Sequence, residues 1–64
     1  MTHEIGLTNL RAAWREHPAD GSTVLHVGPM ESEQGYYLSV RDAAEIAAFI
    51  VRTVGKVAQT QPVP

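Results

Sequence analysis

Apolar positions in the second half of the chain recur at helical spacing. Set at about 100° per residue, Ala43, Ile46, Ala47, Ile50, Val54 and Val57 share one face, with Val51 and Ala58 at its edge. The spacing predicts a long amphipathic helix reaching about Val57. Its start is marked by Ser39 and Asp42, the S-x-x-D pattern in which a hydroxyl and a carboxylate satisfy N–H groups that the first turn leaves orphaned. Asp42 followed by Glu45 is an alternative start. Acids lead, and Arg52 and Lys56 follow, an order that suits the helix dipole. Gly55 is either a C-terminal stop or a tolerated interior glycine, and continuation to about Val57 is the preferred reading. Phe49 breaks the pattern, because it falls among Asp42, Glu45, Arg52 and Lys56 on the polar face.

Ahead of the helix the period changes to two. Thr23 to Val27 and Tyr36 to Val40 read as strands, joined by the polar stretch GPMESEQG. With Gly28 set against Gly35, Val27 meets Tyr36, Leu25 meets Leu38 and Thr23 meets Val40, all on one face. Val24, His26, Tyr37 and Ser39 take the opposite face. Agreement between alternation and register argues for an antiparallel hairpin. Further upstream, Leu7, Leu10 and Trp14 share a helical face, so a first helix is expected over about Asn9 to His17. Pro18 would end it, and Ala19 to Ser22 would form a turn. Met1 to Gly6 reads as a loosely held lead-in. The expected fold is α+β: a small α-β-β-α domain over residues 1–58, with the hairpin packed on the long C-terminal helix. Gln59 to Pro64, with two prolines and no apolar period, is expected to be a disordered tail.

At 64 residues the chain is one domain, and its core alone supplies little stability. Cysteine is absent, which removes disulfides and thiolate metal sites. His3, His17 and His26 lack metal-ligand spacing, and no cofactor is expected. Self-association is the remaining supplement, so a homodimer is expected, either by pairing along a strand edge to make a four-stranded sheet or through the Val24, His26 and Tyr37 face. The net charge of −2 and a pI near 5.8 show no basic patch, so nucleic acid is an unlikely partner on these residues. No apolar run is long enough to span a membrane and no signal peptide is seen, which predicts a cytoplasmic protein.

Candidate chemistry is sparse. His26 and Tyr37 face each other across the hairpin, but no nucleophile or pocket signature accompanies them. Glu31 and Glu33 lack the pattern of a calcium loop and read as solvated. No phosphate-binding glycine motif occurs, and Arg11, Arg15, Arg41 and Arg52 are dispersed. The residues TVLHVGP and YYLSVRDAAEIAAFI, in particular Leu38, Ser39, Ala43, Ala44, Ile46, Ala47 and Ala48, resemble short strand-then-helix proteins of unknown function from actinobacteria and their phages. That resemblance implies no activity and no functional residue.

The expected function is therefore a non-enzymatic protein-interaction module, of the kind a phage accessory gene encodes to modulate a host protein in the host cytoplasm. Phe49 with Glu45 and Arg52, Met30 in the loop, and Tyr37 and His26 on the hairpin are the candidate contact residues. The alternative is a small dimeric nucleic-acid-associated regulator.

Overall fold

The computed structural model describes residues 3–60. Four strands, β1 (Glu4–Gly6), β2 (Leu10–Glu16), β3 (Thr23–Pro29) and β4 (Tyr36–Ser39), precede one helix, α1 (Val40–Thr60). The strands form a single antiparallel sheet in the order β1-β2-β3-β4. The fold is thus α+β, with a β-β-β-β-α order.

The β3–β4 hairpin has the register expected from alternation: Val27 opposes Tyr36, Leu25 opposes Leu38 and His26 opposes Tyr37. Val40 does not pair with Thr23, because it is already the first residue of α1. The helix begins where the capping pattern placed it. Ser39 Oγ accepts a hydrogen bond from the Asp42 N–H at 3.0 Å, which satisfies one of the free donors of the first turn. The helix then runs through Gly55 to Thr60, so Gln59 and Thr60 are helical and not part of a tail. Residues 61–64 of the expected tail lie outside the described residues.

The expected first helix is a strand. Residues Leu10–Glu16 pair over their whole length with β3, Leu10 against Pro29 through to Glu16 against Thr23. The same residues satisfy both periods. Leu10, Ala12 and Trp14 alternate with Arg11, Ala13 and Arg15, and a helix of two turns is marginal without packing. Pairing along seven residues supplies what so short a helix could not. The lead-in is likewise an edge strand, with Glu4, Ile5 and Gly6 opposite Ala13, Ala12 and Arg11. The four-stranded sheet expected from two copies is therefore made within one chain.

Register divides the sheet into two unlike faces. One carries Glu4, Arg11, Ala13, Arg15, Val24, His26, Gly28 and Tyr37. Its centre is buried: Ala13 and Val24 are the buried apolar residues among those described, and His26 is 1% exposed. The other face carries Ile5, Leu10, Ala12, Trp14, Leu25, Val27, Tyr36 and Leu38. Leu25, Val27 and Leu38 are half-buried there, whereas Ile5, Leu10, Trp14 and Tyr36 are exposed. The helix lies on the side of the Leu25, Val27 and Leu38 face, as expected, but the most buried residues are on the Val24–His26 face, which was expected to be free.

The helix closes neither face. At about 1.5 Å per residue its 21 residues span about 31 Å, yet it approaches only β3 and β4. None of its residues is buried. The radius of gyration, 13.9 Å, exceeds the value of about 10.7 Å for a compact chain of this length.

Candidate functional site

Two features could meet a partner: an open apolar cleft, and a polar clasp on the reverse of the sheet. The cleft lies where α1 leaves the sheet. Val40, Ala43, Ala44 and Ala47 line it from the helix, and Ile5, Ala12, Trp14 and Leu25 line it from the apolar sheet face, with His3 and Glu4 at the rim. Its volume is about 510 Å³. The helical side has Val40 at position i and alanines at i+3, i+4 and i+7 of one face, so it leaves space where larger side chains would fill it. Beyond Ala47 the stripe continues as Ile50, Val54 and Val57, with Ile46 beside it, and all four are exposed. Cleft and stripe thus form a continuous apolar surface. A small soluble domain rarely leaves so much of its apolar surface uncovered.

The reverse face is closed by polar groups. The loop between β3 and β4 folds back over it, and Glu33 receives two arginines: Arg11 Nη2 donates to Oε1 and Arg15 Nη1 to Oε2, each at 2.9 Å. Arg11 Nη2 also donates to the Ser32 carbonyl at 3.0 Å. This pairing holds the Glu33 carboxyl below the ordinary glutamate range, through the hydrogen bond from Arg15 first and that from Arg11 second. Within the loop, the Ser32 hydroxyl accepts from the Gln34 N–H at 3.0 Å. The Tyr37 ring packs between the imidazoles of His26 and His17, with centroids 5.1 and 4.9 Å away. His26 Nδ1 and Arg11 Nε are buried without a hydrogen-bond partner, a cost carried by this face.

The expected contact residues are scattered over these features. Phe49, Glu45 and Arg52 are all exposed on the side of α1 away from the stripe, and Phe49 is 56% exposed. Met30 is exposed at the start of the loop, its Cε 3.4 Å from where a side chain on Gly6 would begin. Tyr37 is partly exposed and faces His26 as expected, but His26 is enclosed and offers no surface to a partner. The alternative dimer face of Val24, His26 and Tyr37 is accordingly filled from within the chain. Sequence reasoning missed the cleft residues Ile5, Trp14 and Leu25 as a site, because it assigned Trp14 to a helix and Leu25 to the core. It missed Glu33 because the partners lie 18 and 22 residues away, where no local pattern reaches.

Among the described residues, no group of three or more His, Asp or Glu side chains could hold a metal ion, and no helix is long and apolar enough to cross a membrane. No protein-family profile, curated protein or solved structure matches the chain.

Proposed function

We propose that the protein is a small non-enzymatic interaction module whose working surface is the apolar cleft together with the exposed stripe of α1. The observation that carries this reading is the helix itself: 21 residues long, with a regular apolar stripe from Ala43 to Val57 and none of its residues buried. Amphipathic helices gain most of their stability by packing that stripe, and the chain leaves it uncovered. A host protein met by a phage-encoded chain would be one such partner. The arginines available for the alternative, nucleic-acid reading are less free than the sequence suggested, since Arg11 and Arg15 are both engaged by Glu33.

The test is the mass of the protein in solution, by light scattering, alone and in cell extract, for the wild type and for Ile50→Asp and Phe49→Asp. The reading expects the wild type in a complex of defined mass, lost in Ile50→Asp. Phe49→Asp reports on the other side of the helix. A wild type that stays folded at 7.0 kDa and gains no mass in either condition ends the proposal.

A further inference from the structure

We infer that the occupant of the apolar surface is a second copy of this chain, with the two α1 helices antiparallel about a two-fold axis near Ile50. The inference deepens the interaction reading above and rests on it. Three observations converge on it.

The first is area. A compact protein of 7.0 kDa exposes about 4,000 Å², whereas this chain exposes 5461 Å². Allowing as much as about 1,000 Å² for the six residues outside 3–60 still leaves an excess of about 700 Å² over a compact fold of the remainder. Covering between 700 and 1,400 Å² on each of two copies gives a total of about 1,400–2,800 Å², the range of standard to obligate interfaces.

The second is symmetry of the stripe. An interface between identical copies related by a two-fold must be self-complementary. Counted outward from Ile50, Ile46 falls opposite Val54 and Ala43 opposite Val57, so an antiparallel pair sets each larger residue against an apolar partner. The small residues Ala43, Ala44 and Ala47 lie at the cleft, where a second helix needs room to approach.

The third is charge. The first half of α1 carries Asp42 and Glu45, and the second half carries Arg52 and Lys56. Antiparallel pairing sets Asp42 and Glu45 level with residues 58 and 55 of the other helix, alongside its Lys56. Parallel pairing would set like charges level with one another. Arg41 is the exception, at the helix start.

Because cysteine is absent from the chain, single cysteines test the arrangement cleanly. Ile50→Cys places its thiol at the axis, within disulfide reach of its own copy. Ala48→Cys places it on the far side of the helix, about 160° away at 100° per residue. The expected result is a wild-type mass of twice 7.0 kDa by light scattering, with mild oxidation locking Ile50→Cys into a covalent dimer and leaving Ala48→Cys unlinked. A dimer that links through residue 48 and not 50 overturns the arrangement. A folded monomer at every concentration overturns the second copy as occupant. If that monomer gains mass in extract, and loses the gain in Ile50→Asp, the broader interaction reading stands while this inference fails. If it gains none, both fail.

Discussion

Glu33 is an exposed loop carboxylate that takes part in the fold through two arginines of β2. It is exposed, so the pairing contributes little to stability and is screened by salt. Its consequence is directional. The folded-state pKa lies below the unfolded value, because the hydrogen bonds from Arg15 and then Arg11 lower it by more than desolvation raises it. The contribution is therefore complete above the unfolded pKa and is lost as pH falls through the folded one. Arg15 is shifted upward in turn, chiefly by the same hydrogen bond. Carboxyl NMR titration should give Glu33 a midpoint below the ordinary glutamate range, and Arg15→Ala should move it upward. A midpoint indifferent to Arg15→Ala would show that the clasp does not form in solution. Local sequence could not disclose this pair, since neither charge has a partner at helical or strand spacing. The Ser39 cap, in contrast, was legible because both of its residues lie within one turn.

Elements were readable in proportion to how many independent signals agreed. The β3–β4 hairpin had alternation, flanking glycines and a consistent register, and α1 had a long period with a cap. Leu10–Glu16 had a helical spacing of three residues and good helix formers, but it had the two-residue period as well, and pairing with β3 decided between them. The faces of the sheet were not readable from the hairpin alone. Which side becomes the interior depended on β1, β2 and the folded-back loop. The neck of that loop is set by Gly28 and Gly35. Gly35 has φ of 145°, and a Cβ there would strike the Val27 carbonyl oxygen and lie 2.8 Å from Gly28 Cα. Gly35→Ala should therefore destabilise the protein by about 1–3 kcal/mol. At Gly55, inside α1, nothing lies within 4 Å of an added Cβ, so Gly55→Ala should stabilise by about 0.5–1 kcal/mol. Denaturant unfolding of the two variants should give opposite signs. Equal effects would mean that the hairpin neck is more open than the structure shows.

For the whole molecule, the difficulty is the size of the interior. Ordering a residue costs about 1–2 kcal/mol of backbone entropy, and fully burying a valine side chain returns about 1.5–3 kcal/mol. The described residues bury one alanine and one valine among their apolar side chains, with further half-buried residues on the cleft side. A chain so constituted gains its missing burial on assembly, and its stability then depends on its own concentration. In a dimer that folds and associates together, each tenfold rise in protein adds about 1.4 kcal/mol, which for a folding unit of two such chains raises Tm by about 5 °C. Thermal unfolding followed by circular dichroism over a hundredfold concentration range should therefore show a total rise of about 10 °C. Ile50→Asp should abolish the dependence along with part of the helical signal, because within its own chain α1 meets only β3 and β4. A Tm that stays constant across the range, with the helical signal intact, would mean that the half-buried face and the helix cap suffice for one copy. The open stripe would then belong to a partner of different sequence.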